Sequence, residues 1–218
     1  MLLLMDLDNT LVDRDAAFAR WARGFLTEHG GSGADLDWLL ETDAHGYTHR
    51  AVLADGLIQR LRLTVPREEL VRTLLADVVP GIRCYDGVPE RLAALRAQGH
   101  RLVVVTNGTI QQQSRKITEA ALGEAVDEVV ISEAVGAKKP HPDIFTSALR
   151  SQAPQEVAWM IGDHAVNDIG GGRDAGCRTA WISHGQDWPG GPTPTLSASA
   201  PAAVLDLILA EHPPTPGP

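Results

Sequence analysis

Short runs rich in Val, Ile and Leu recur along the chain: Leu2–Leu7, Arg101–Thr106, Glu128–Ser132, Val157–Gly162 and Arg178–Ser183. They alternate little between apolar and polar positions, the pattern of strands covered on both faces of a parallel sheet. Helical spacing appears between them. Val88, Leu92 and Leu95 lie on one stripe, with Gly99 as the stop. Thr109 is placed to cap a helix running through Leu122, and Pro142, Ile144, Phe145 and Leu149 belong to another. This alternation predicts an α/β fold with a doubly wound, mainly parallel, Rossmann-like sheet.

One connection is too long for that plan. A crossover between parallel strands takes about 30 residues. The first strand ends near Asp8, yet the next begins near Arg101. The surplus, about residues 15–80, is read as an inserted helical subdomain in a sheet domain formed by residues 1–14 and 81–211. Its stripes are Phe18, Trp21, Ala22, Phe25 and Leu26; Leu36, Leu39 and Leu40; Leu53, Leu57, Ile58 and Leu61; and Leu70, Leu74 and Leu75. Pro66, Glu68 and Glu69 mark the start of the fourth helix, and Pro80-Gly81 leads back to the sheet. Pro189–Pro201 reads as loop with a short edge strand near Leu196. Ala203–Glu211 reads as a last helix, and residues 212–218 as a disordered tail.

The 218 residues are 44% hydrophobic and 22% charged, which excludes a disordered or fibrous chain. No uncharged apolar run approaches the roughly 20 residues of a membrane helix, so no membrane is expected as partner. Asp6 interrupts the apolar start, which lacks the form of a signal peptide, so the expected location is cytoplasmic. Cys84 and Cys177 make no disulfide framework and no metal spacing. A net charge of −9 argues against nucleic acid. It leaves a small anionic substrate open, since that feels only the local field.

Four places carry chemistry. In Asp6-Leu7-Asp8-Asn9-Thr10 two carboxylates leave a buried strand on the same side of an extended chain. Ligands of open α/β sheets bind at such strand ends, and the pair calls for a cation. The plain alternative is an acidic turn. Thr106-Asn107-Gly108 ends a second strand and suits a phosphate oxygen, or simply caps a helix. Lys138 and Lys139 precede Pro140 in a chain with only one other lysine, Lys116. A lysine there can neutralise a phosphoryl group, or the two are solvated surface cations. Pro140 restricts Lys139 to extended angles and is placed to open the next helix, so Lys138 should face away from Lys139, towards solvent. In Gly162-Asp163, followed by Asp168 and Gly170–Gly172, Asp163 can complete an oxygen set for Mg²⁺. The alternative is a helix cap with glycines for close packing.

In order and at this spacing, the four motifs resemble those of the haloacid dehalogenase-like superfamily of phosphohydrolases. The resemblance rests on Asp6-Leu7-Asp8-Asn9-Thr10, Thr106-Asn107-Gly108, Lys139-Pro140 and Gly162-Asp163 with Asp168, and runs from Met1 to about Ala210. It makes the sheet domain catalytic and the insertion that family's small helical cap. It implies an Mg²⁺-dependent phosphatase acting on a small phosphorylated metabolite through an aspartyl-phosphate. Asp6 is then the nucleophile, Asp8 the acid and base, and Lys139 the charge balance. Thr106, Asn107 and Gly108 belong to the phosphate site. Asp6, the Asp8 carbonyl and Asp163 hold the metal, and Asp168 supports them by pairing with Lys139. Of the polar stretch Glu41–Arg50, Arg50 is the candidate substrate contact; a solvated loop is the alternative for His45 and His49.

The halide-removing relatives lack the second acid, so Asp8 disfavours dehalogenation. The phosphonate-cleaving relatives use a cap lysine, and no lysine precedes Lys116. A sugar-phosphate mutase and a non-catalytic binding protein on the same scaffold remain open. A dinucleotide at Gly170–Ala175 is disfavoured, because Asp163 and Asp168 would repel a pyrophosphate without a metal. The substrate and the oligomeric state are not legible in the sequence.

Overall fold

The computed structural model describes residues 1–76, 78–150, 153 and 156–211; the expected tail, 212–218, lies outside them. Two compact units emerge: Met1–Val12 with Cys84–Pro218, and Asp13–Arg83. Among the described residues no helix is long and apolar enough to cross a membrane.

The first unit is built on six parallel strands: β1 (Leu2–Met5), β2 (Arg101–Thr106), β3 (Glu128–Ile131), β4 (Ala158–Gly162), β5 (Arg178–Ile182) and β6 (Leu196–Ala198). Their order in the sheet is β3-β2-β1-β4-β5-β6, with every pairing parallel. β1 is central, with Met5 level with Val104 of β2 on one side and Ile161 of β4 on the other. Leu2, Leu4, Val103, Val105 and Met160 form one buried layer, packed by Ile144, Phe145 and Ala148. Alternate positions Leu3, Met5, Leu102 and Val104 point to the other face and are equally buried. That double burial explains why the strands read as continuous apolar runs.

The helical unit holds α1 (Arg14–Glu28), α2 (Gly33–Asp43), a single 3₁₀ turn (Ala44–Gly46), α3 (Arg50–Leu61) and α4 (Arg67–Ala76). The core sides of the predicted stripes are buried: Phe18, Ala22, Leu26, Leu39, Leu53, Leu57, Leu70 and Leu74. Caps set the boundaries. Asp13 accepts from the Ala16 N–H, and Ser32 with Asp35 forms a reciprocal capping box that opens α2. The remaining helices belong to the sheet unit: α5 (Val88–Ala97), α6 (Ile110–Glu119), α7 (Ser132–Val135), α8 (Pro142–Ala148), a π-helical turn (Ala165–Gly170), α9 (Gly171–Asp174) and α10 (Pro201–Glu211).

Two boundaries differ from expectation. β1 stops at Met5 because the chain turns at once, with the Leu7 carbonyl accepting from the Leu11 and Val12 N–H groups at 3.0 Å each. The helix after the lysine pair opens at Pro142 rather than Pro140. His141 takes the cap position, where its Nδ1 accepts from the Asp143 N–H at 3.3 Å, and Pro142 occupies the first turn where its missing N–H is not needed.

Candidate active site

The carboxyl ends of β1, β2 and β4 bring the motif residues together. Asp6 follows β1 directly and its N–H donates to the Ile161 carbonyl at 2.9 Å. Asp6 and Asp168 are buried, and Asp6, Asp163 and Asp168 each offer a carboxylate oxygen within 4.8 Å of the others. Lys139, 5% exposed, inserts its ammonium among them. Its Nζ donates to Asp6 Oδ1 at 2.6 Å and pairs with Asp168 Oδ1 at 2.7 Å. Lys138 is exposed, as the opposite direction of neighbouring side chains requires.

Two buried carboxylates, Asp6 and Asp168, share one ammonium with half-buried Asp163 close by, which leaves a local surplus of negative charge. Burial, and then the charge of Asp168, push Asp6 up to about 7 against the pull of Lys139. Burial also holds Asp163 well above the usual carboxylate range, with Asp168 and Asp6 adding to it. Burial alone would lower Lys139, but the charges of Asp168 and Asp6 outweigh it and raise its pKa above the ordinary lysine value. Asp163 Oδ1 is buried with no hydrogen-bond partner among the described residues. A buried acceptor of this kind beside other hard oxygen donors fits a divalent cation such as Mg²⁺.

Glycines permit these approaches. A Cβ at Gly162 would lie 2.2 Å from Asp168 Oδ2, so the glycine ending β4 is demanded by Asp168 itself. Asp168 Oδ2 also accepts from the His164 N–H at 3.0 Å, and the Trp181 indole N–H donates to the Asp163 carbonyl at 2.7 Å. Gly171 and Gly172 press against Phe145 and Met160, where a Cβ would come within 2.6 and 2.5 Å. They serve helix packing rather than a phosphate cradle.

The Asn107 side chain meets the Lys139 backbone on both sides: its Nδ2 donates to the Lys139 carbonyl at 3.1 Å, and its Oδ1 accepts from the Lys139 N–H at 2.8 Å. Its amide is thereby engaged in bracing the lysine, a task the sequence reading did not assign to it. The Gly108 N–H donates to Ser132 Oγ at 3.0 Å. Its φ of +155° and the approach of Gln113 make glycine necessary there.

Asp8 has a lysine of its own that the sequence reading missed. Lys116 Nζ donates to Asp8 Oδ2 at 2.6 Å, and Gln113 Nε2 reaches the same oxygen at 3.3 Å and Thr106 Oγ1 at 2.5 Å. The available signal was that Gln113 and Lys116 share a helix face with Ile117, which is the buried one. Arg50, the expected substrate contact, belongs to the helical unit. There it donates to Asp43 Oδ1 at 2.6 Å and to the Gly46 carbonyl at 3.2 Å. Arg14 also pairs with Asp43, so two guanidiniums share one buried carboxylate. A cavity of about 420 Å³ in this unit is lined by Trp21, Phe25, His29 and Leu70 and contains none of the acidic cluster.

The nucleophile-like acid, the second acid, the lysine and the metal-ready acids at the ends of a parallel sheet define a hydrolase of phosphate-handling type. The chain belongs to the haloacid dehalogenase-like hydrolase family, whose profile matches residues 3–182. It is 30% identical over 195 residues to a glyceraldehyde 3-phosphate phosphatase of Pyrococcus furiosus, covering 84% of this chain and 81% of that one. It is 29% identical over 213 residues to a phosphoglycolate phosphatase of Aquifex aeolicus, covering 94% and 95%. In fold it is similar to the HAD-hydrolase YfnB from Bacillus subtilis, solved bound to magnesium, with a TM-score of 0.76, 23% identity and 96% and 97% coverage.

Proposed function

We propose that this phosphatase-type hydrolase cleaves a small phosphorylated metabolite through an aspartyl-phosphate on Asp6. The observation that carries the reading is the convergence of Asp6, Asp163 and Asp168 around Lys139, beside Asp8 and Thr106. An Asp6 carboxylate oxygen attacks phosphorus while the ester P–O bond breaks, and the departing oxygen takes a proton from Asp8. Asp8, now a carboxylate, then accepts a proton from water as the water oxygen bonds to phosphorus and the Asp6–phosphorus bond breaks. Inorganic phosphate leaves, and both acids return to their starting state. Lys139 balances the charge shared by Asp6 and the phosphoryl group. Thr106 accepts from Gln113 through Oγ1, which turns its own hydroxyl proton outward for a phosphoryl oxygen. Asn107 holds Lys139 in place.

Asp6, the Asp8 carbonyl and Asp163 are the residues that would hold Mg²⁺, which supplies the positive charge that lets an anionic carboxylate approach an anionic phosphate. Asp168 supports them through Lys139. Asp8 stands where the halide-removing branch has no acid, which favours phosphate chemistry. The two phosphatases named above carry three-carbon and two-carbon phosphates in their names, which supports substrates of that size, and the reading extends to Arg50 as a substrate contact. Two free thiols, Cys84 and Cys177, accord with the cytoplasm as its compartment. The test is phosphate release, with and without Mg²⁺, from a panel of glyceraldehyde 3-phosphate, phosphoglycolate, nucleoside monophosphates and sugar phosphates. Metal-dependent release from at least one is expected; no release from any would overturn the reading.

A further inference from the structure

Lys116 has no part in the steps above, yet it is 5% exposed and sits beside the acid that performs two of them. A buried ammonium is costly unless paired, and its partner here is Asp8 Oδ2, the oxygen that Gln113 also reaches. We propose that Lys116, helped by Gln113, is the positioning residue for Asp8, holding its carboxylate in the orientation that delivers a proton to the departing ester oxygen. This rests on the phosphatase reading.

The geometry makes more of this contact than a stray ion pair. Lys116 and Gln113 stand three apart on α6, so one helix face presents both donors to one carboxylate oxygen. Gln113 also donates to Thr106 Oγ1. One rigid element therefore sets the proton donor and the hydroxyl offered to the phosphoryl group relative to each other. α6 is capped at its start, where Thr109 Oγ1 accepts from the Gln112 N–H at 3.2 Å. Asp6 and Asp8 have separate cations: Lys139 serves the nucleophile and Lys116 the proton carrier. Lys116 transfers no proton itself. The proton passes from Asp8 to the ester oxygen as that P–O bond breaks, and Lys116 keeps its own three.

The experiment reads how rate depends on the leaving group. A dinitrophenolate departs without needing a proton, whereas an alkoxide needs one. Because kcat/KM covers the steps through the first irreversible one, it isolates the departure from the later attack of water. Wild type, Lys116→Met and Lys116→Arg are compared on dinitrophenyl phosphate and on whichever alkyl phosphate of the panel above is hydrolysed fastest. Lys116→Met should lower kcat/KM about 10- to 100-fold on the alkyl ester, within what a positioned acid contributes. It should lower it less than about threefold on dinitrophenyl phosphate, and Lys116→Arg should recover most of the alkyl activity. Equal losses on both esters would make Lys116 structural or a phosphate contact, and no loss on either would make it idle; each overturns the proposal. Should Lys116→Met fail to fold, Lys116→Gln is read against the same outcomes. A wild type that hydrolyses neither ester would instead overturn the phosphatase reading, and this role with it.

Discussion

Replacing Asp6 by Asn should stabilise the metal-free protein, and by more as the pH rises. Burial and the neighbouring Asp168 push Asp6 from an ordinary 3.8 up to about 7 in the folded chain. Between those values the folded protein holds a proton that the unfolded chain has lost, so stability falls as pH rises across that window. Below it Asp6 is neutral in both states and costs nothing; above it the full cost is present. At ~1.4 kcal/mol for each pH unit of the window, the ceiling is about 4 kcal/mol. Other groups titrate too, and Asp35, held down to about 2 by its bonds to Ser32, is one whose contribution is lost in acid. The readout is therefore the difference between wild type and Asp6→Asn, in which unrelated groups cancel. Urea unfolding of both proteins in chelator should give a gap near zero around pH 4, widening to about 2–4 kcal/mol around pH 8 in favour of Asp6→Asn. Added Mg²⁺ should close the gap by stabilising the wild type. A gap that is constant with pH, or that narrows as pH rises, would refute the crowded-carboxylate account.

The adjacent lysines should differ sharply. Lys139→Ala should cost about 10²–10³-fold in rate, and exposed Lys138→Ala less than about threefold. Both are measured with one phosphomonoester at saturating Mg²⁺, and the reverse order would mean the loop register is wrong. Asp163→Ala should weaken metal affinity, so a Mg²⁺ titration should show activity partly returning at high metal. Gly162→Ala should cost about 1–3 kcal/mol by driving a methyl into Asp168, read as a lower urea midpoint. Asp43→Ala should cost about 3–5 kcal/mol by leaving Arg14 and Arg50 without the carboxylate they share, read by the same unfolding assay.

The sheet was legible because burial on both faces writes itself as Val, Ile and Leu runs, and all five such runs became strands. The clustered acids were legible for a related reason. In an open parallel sheet, chemistry collects where strands end, so Asp6, Thr106 and Asp163 could be placed without coordinates. What the sequence concealed depends on which way a helix turns. Gln113 and Lys116 look like ordinary polar positions until α6 is seen to bury that face. Asn107 reads as a phosphate ligand, and the further hold of its amide on the Lys139 backbone leaves no mark in the sequence. Arg50 reads as a candidate substrate contact, and its pairing with Asp43, seven residues earlier and shared with Arg14, leaves no mark in the sequence. Side-chain pairing across long sequence separations carries no periodic signature, so it appears only in three dimensions.

Trapping the covalent intermediate tests the central claim most directly. The enzyme is mixed with its best substrate and Mg²⁺, quenched in acid during turnover, digested, and its peptides are sequenced by mass spectrometry. The account predicts a phosphoryl group on the peptide containing Asp6, located at Asp6, and absent from Asp6→Asn. A phosphoryl group on any other side chain, or turnover that persists undiminished in Asp6→Asn, would contradict it.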